Sequence, residues 1–287
     1  SLQSQQRNML FHEYLDINLE DDDYSSKFPD GYEFDNFRRL LVSFGMRVNF
    51  DQQKPLYIVK QNVEDREFRK KLNNAIKNNL VSEKILDVDG IICDKMTNEI
   101  VCMTYPTCRP IKTAVDLVHQ RNPQYGNNKI TEEQAMDYLP KGLGTFPYIT
   151  PSELSKIENN EDFRYQKMVD GVMIRVYTYN GQPCVATGRS IDASSSVWSS
   201  GRKFSEMFKD TGILMDIIDS PNYNPRHVYG LIMCHVHNQQ VVKHTSNQIY
   251  HVFTRDMDTM EELDVDLDID LPLIHISEPT RQEAISY

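Results

Sequence analysis

The sequence predicts an α+β fold built on largely antiparallel sheets, and three observations predict it. Strand-like segments are grouped on either side of a run of short helices between Thr113 and Ile157, with no regular βαβ alternation. From Phe163 onward the texture turns to alternating apolar and polar residues. At Asn180-Gly181 a turn dipeptide separates two such runs, which is the strongest short hairpin signal.

The elements follow in order. Residues 1–30 are polar, with an acidic run at Glu20–Asp23, and read as solvated loop. Phe34, Phe37, Leu40, Leu41 and Phe44 recur at helical spacing, and Gly45 can end that helix. Pro55–Val59 reads as a short strand, and Val63–Leu80 as a basic amphipathic helix with Phe68, Leu72 and Ile76 on one face. Ile85–Cys93 and Ile100–Tyr105 read as strands around the Lys95–Glu99 turn. Thr113–Gln120, Thr131–Leu139 and Pro151–Ile157 read as helices, with Thr131 and Thr150 as caps. Val172–Tyr179 and Pro183–Thr187 make the hairpin, and Lys203–Lys209 a short helix. Val228–Val236, Gln240–His244 and Ile249–Thr254 form a meander, and Glu261–Asp270 is an edge strand or a loop.

Composition narrows the function. The 287 residues hold 39% hydrophobic and 25% charged side chains, ordinary for a globular protein. No apolar run approaches the roughly 20 residues a membrane span needs. Five scattered cysteines without a Cys-x-x-Cys pair argue against a disulfide framework or zinc site and for a reducing, cytoplasmic setting. A net charge of −11 excludes bulk coating of nucleic acid. Residues 164–209, however, carry seven Lys/Arg against three acids, a local +4 that suits a specific anion site. His235 and His237 share a strand face, but two histidines alone do not make a metal site, and none is assigned.

The chemistry-bearing stretch is Phe163–Trp198, FRYQKMVDGVMIRVYTYNGQPCVATGRSIDASSSVW. Lys167 stands ahead of Asp170-Gly171 at a strand entrance, where an amine can be offered to a nucleotide α-phosphate. Arg175 and Arg189 are candidate phosphate ligands, because the guanidinium fork matches phosphate oxygens. Ser190 can contact ribose or phosphate, or cap the following helix. Trp198 can stack on a base or anchor the core. Arg109, in Thr-Cys-Arg-Pro, is a candidate RNA-phosphate contact.

The order of these segments resembles bacteriophage-type ATP-dependent RNA ligases, and most closely the RNA-ligase-like proteins of large DNA viruses and phages. The strand pair DVDGIICDKMTNEIVCMTYPTCRP, the Lys-x-x-Asp-Gly hairpin, TGRSIDASSSVW and NQIYHVFTRD carry the likeness, over roughly residues 85–260. The resemblance implies a ligase-like nucleotidyltransferase core of twisted, mostly antiparallel sheets with peripheral helices. It also implies ATP and Mg2+ as cofactors, RNA ends as partners, RNA repair in a viral or phage setting, and adenylation of Lys167. Asp170 and Gly171 would floor the nucleotide pocket, with Arg175 and Arg189 on phosphates. A non-catalytic nucleotide- or RNA-binding module and an mRNA-capping-type guanylyltransferase are the alternatives.

Several positions depart from that family. Its lysine lies two residues before the aspartate, where this chain has Met168, so Lys167 would point to the other face of an extended strand unless a bulge restores it. An expected arginine-glycine step stands as Asp89-Gly90, and an expected glutamate as Ile232. Three segments are expected: a helical and irregular 1–82, a core over 83–270 that is incomplete at its C-terminus, and 271–287. The last, LPLIHISEPTRQEAISY, resembles the translation of a sequencing adapter, as expected of a truncated metagenomic gene ending near Asp270.

Overall fold

The structure is a computed structural model that describes residues 7–103, 110–123, 129–139, 148–160, 171–191, 204–234 and 248–269. It is an α+β protein with two antiparallel sheets. Eight helices are described: α1 (Phe11–Tyr14), α2 (Phe34–Ser43), α3 (Phe68–Lys77), α4 (Ala114–Arg121), α5 (Glu132–Tyr138), α6 (Pro151–Glu158), α7 (Phe204–Asp210) and α8 (Ile213–Asp219). The four-stranded sheet runs β1-β2-β3-β4, from Met46–Phe50, Leu56–Gln61, Ile91–Asp94 and Ile100–Cys102. The five-stranded sheet runs β6-β5-β7-β8-β9, from Val172–Tyr179 (β5), Gln182–Thr187 (β6), His227–Cys234 (β7), Gln248–Asp256 (β8) and Glu262–Leu263 (β9).

The two sheets share one core. Phe11, Phe37, Leu41, Tyr57, Ile58 and Ile92 from the first body of chain cluster with Tyr177, Ala186, Val228 and Phe253 of the second sheet. Strand periodicity explains the division. Along β5, Met173, Tyr177 and Tyr179 pack into that core, while Ile174 and Val176 face a second cluster with Met207, Phe208 and Ile217 of α7 and α8. Near β7 the alternation is reset by a bulge: Gly230 pairs with Phe253 and Leu231 with His251, so Val252 is the extra residue. The Phe253 ring lies on Gly230, where a Cβ would come within 1.9 Å of it. Helices α4 and α5 form a third small cluster, tied by Glu132, which accepts from the Ala114 and Val115 N–H groups, while the Thr131–Gln134 capping box closes the start of α5.

The hairpin, the caps at Thr131 and Thr150, and the helix stop at Gly45 (φ +94°) stand as the sequence predicts. Three readings need correction. The segment before β1 is not loop throughout: Phe11, Leu15, Ile17, Leu19, Tyr24 and Phe28 are core residues, while the acidic run and the polar residues around it stay exposed. Ile85–Gly90 is not strand; Glu83–Asp87 is a 3-10 turn capped by Ser82, and β3 begins at Ile91. The predicted 63–80 helix begins only at Phe68. The boundary drawn at residue 82 also falls inside one sheet, because β2 pairs with β3 from Leu56↔Asp94 to Val59↔Ile91. Gln240–His244 and the 271–287 tail lie outside the described residues.

A strap at the N-terminus crosses from one sheet to the other. The Met9 N–H donates to Met257 O just past β8, the Met9 carbonyl accepts from Ile100 N on β4, and Phe11 N–H donates to Asn98 O, each at 2.8 Å.

Candidate functional site

The site forms where β5 begins and β6 ends, against the lead into β3. Ile174 pairs with Thr187, so Gly171–Met173 and Gly188–Ser190 lie side by side, and a Cβ on Gly188 would sit 3.7 Å from Met173 Cβ. Gly90 closes the other side. It adopts φ +117° and approaches so near that a Cβ there would lie 2.3 Å from the Gly188 carbonyl oxygen. Only glycine permits that contact, which brings the two sheets together at this mouth.

Arg175 fastens the same contact from within. It is 0% exposed. Its Nε and Nη2 donate to Thr187 O at 3.0 and 2.8 Å, Nη2 also reaches Ser190 O at 3.2 Å, and Nη1 donates to Gly90 O. Arg175 was expected on a phosphate. The structure gives its fork to three buried carbonyls instead, which satisfies groups that would otherwise lack partners. Ser190 is likewise engaged, since its hydroxyl accepts from Thr187 N at 3.2 Å and pairs with Thr187 Oγ1 at 2.7 Å. Tyr177 OH donates to Ile191 O at 2.8 Å and pins the loop beyond.

Arg189 faces outward, with its side chain 62% exposed. Its Nη1 lies 3.4 Å from Asp89 Oδ2, while Asp89 Oδ1 accepts from Gln61 N at 3.1 Å. The Arg189 carbonyl accepts from Lys60 Nζ at 3.0 Å. Burial pushes the Lys60 amine below the usual lysine range, and the charges of Arg189 and Arg47 add to this while Asp89 opposes it. Lys60 and Arg47 were not anticipated as site residues. The signal that could have found them is the Met46-Arg47-Val48-Asn49-Phe50 alternation of β1, which pairs Arg47 directly with Lys60.

Lys167, Asp170 and Arg109 lie outside the described residues. Gly171 immediately precedes β5 at the mouth. Ile232, standing where the family has its glutamate, pairs with Met173 on the neighbouring strand. Among the described residues no group of three or more His, Cys, Asp or Glu could hold a metal ion. Cys93 and Cys102 are buried free thiols, and burial pushes Cys102 up to about 11, so it is no nucleophile at neutral pH.

No known family profile matches the chain. A curated protein, the immediate-early protein ICP-46 homolog of Invertebrate iridescent virus 6, is 23% identical over 145 residues. That match takes in 48% of this chain and only 28% of the relative. No helix among the described residues is long and apolar enough to cross a membrane.

Proposed function

We propose that this chain is an RNA-ligase-like nucleotidyltransferase, binding ATP at the β5/β6 mouth and joining RNA ends through an adenylate on Lys167. One observation carries the reading: the segment Lys167-x-x-Asp170-Gly171 leads into a strand entrance where two cations, Lys60 and Arg189, stand together on an otherwise acidic protein. In this reading the neutral Lys167 amine attacks the α-phosphorus. A nitrogen–phosphorus bond forms, the bond to the bridging oxygen breaks, and pyrophosphate leaves with the electron pair. Arg189 neutralises phosphate charge as its exchangeable partner Asp89 is displaced. Among the described residues no group of three or more His, Cys, Asp or Glu stands at the mouth to hold Mg2+. No step here runs through a metal.

A second reading, a nucleotide- or RNA-binding module without chemistry, is favoured by Ile232 beside Met173 and by the engagement of Arg175 with carbonyls. Labelled ATP and GTP, incubated with the protein and resolved under denaturing conditions, separate the readings. An ATP adduct that Lys167→Ala abolishes supports the ligase chemistry, and a GTP adduct the capping-type alternative. Saturable ATP binding with no adduct assigns the binding module, and no binding of either nucleotide defeats the ligase and capping readings and leaves only an RNA-binding form of the module.

A further inference from the structure

Lys60 is a half-buried ammonium with no carboxylate partner among the described residues; its one hydrogen bond is to the Arg189 carbonyl. Arg47 stands directly opposite it on the neighbouring strand, a like-charge pair of the sort that destabilises a sheet. Arg189 adds a third cation on the other side, and together they hold the amine below its ordinary range, after burial itself. The two arginines do have acids, Glu64 at 3.0 Å from Arg47 and Asp89 at 3.4 Å from Arg189. The Arg47 pair is exposed on both sides, at 43% and 80%, so it holds with little strength. Either guanidinium can exchange a carboxylate for a phosphate, and an anion between the three cations would relieve the crowding around Lys60.

We propose that Arg47, Lys60 and Arg189 seat a terminal phosphate group, carried by the 5′ end of an RNA strand or by a nucleotide. The choice of carriers rests on the reading given under Proposed function; the seat rests on the three cations. Two guanidinium forks flank one ammonium, and the Gly90–Gly188 contact fixes the β6 loop against the lead into β3. The phosphate replaces the weak carboxylate partners and gives Lys60 a directly bonded anion in addition to the influence of Asp89.

The test measures fluorescence anisotropy of a short single-stranded RNA, with a 5′-phosphate or a 5′-hydroxyl, and binding of ATP in parallel. The full chain is compared with Arg47→Ala and Lys60→Met. If the RNA end is the carrier, the 5′-phosphate tightens binding about ten-fold, and each variant removes most of that gain. If a nucleotide is the carrier, ATP affinity falls about ten-fold in both variants and the strand end makes no difference. Both variants binding both ligands within two-fold of the parent would overturn the seat. Inorganic phosphate gives a second measurement: it raises the melting temperature of the parent and not of Lys60→Met, and equal rises in the two would also overturn it. Adduct formation is scored separately, so a chain that makes no lysine adenylate yet shows these losses retains the seat and loses only the chemistry.

Discussion

Replacing Arg175 by methionine tests whether that residue binds the fold together or a ligand. The guanidinium makes four hydrogen bonds to the carbonyls of Thr187, Gly90 and Ser190, wholly inside the protein. Methionine keeps much of the apolar stem but strands three carbonyls. At about 1–1.5 kcal/mol for each group left without its partner, the loss is about 3–4 kcal/mol. For a chain of this size that corresponds to a fall of roughly 10 °C in melting temperature. Lysine restores the charge but not the fork, so Arg175→Lys is expected to recover less than half of the loss. Urea and thermal unfolding followed by circular dichroism measure both variants. A melting temperature within about 2 °C of the parent, with nucleotide binding weakened instead, would refute the structural role and return Arg175 to the phosphates.

Gly90→Ala is expected to cost about 2–4 kcal/mol, since φ +117° is strained for alanine and the new Cβ would meet the Gly188 carbonyl at 2.3 Å; a loss under about 1 kcal/mol in urea would show that the two backbones do not approach as described. The histidines set a pH dependence. Burial pushes both His12 and His227 below 6.5, and the Asp256 carboxylate only partly offsets this for His227. The unfolded chain therefore takes up protons that the folded one refuses, so their contribution to stability is present above pH 6.5 and lost as pH falls below it. His12 fits that neutral state, because Asn98 accepts from Tyr57 through Oδ1 and so donates through Nδ2 to His12 Nδ1 at 2.8 Å. The urea midpoint should fall between pH 7.5 and 5.5, and more gently in His12→Gln with His227→Gln; an unchanged slope in that double variant would remove the histidines as the cause.

What could be read in the sequence was mostly local chemistry. Asn180-Gly181 fixed the β5–β6 hairpin because both residues adopt the positive φ that its turn requires, +50° and +73°. Thr131 and Thr150 cap α5 and α6 through side-chain bonds to the backbone N–H three residues on, and such bonds are short-range. Non-local packing was harder to read. The apolar residues between Phe11 and Phe28 are spaced irregularly, so no period announced their burial; they fill a core assembled from strands far along the chain. Arg175 shows the same limit at the site. Its residue type and position suited a phosphate, and only the approach of Gly90 to Gly188 revealed carbonyls for it to satisfy. The mouth itself was half legible: Arg189 came from the motif, whereas Lys60 and Arg47 are placed by the β1–β2 register, for which the β1 alternation was the one local signal.

The strap at Met9 gives the two sheets a shared fastening whose halves become available far apart in synthesis. Its carbonyl can join Ile100 once the first sheet has formed, but its N–H must wait for Met257, beyond the last long strand. A contact spanning nearly the whole described chain closes the largest loop in the fold and falls late in any folding order. Until then the N-terminal segment can be half docked on a growing polypeptide, with the second sheet still unattached. The nascent chain would hold its first sheet early and complete the strap only after Met257 has emerged, when a protease could no longer peel the strap away from one sheet without also releasing it from the other.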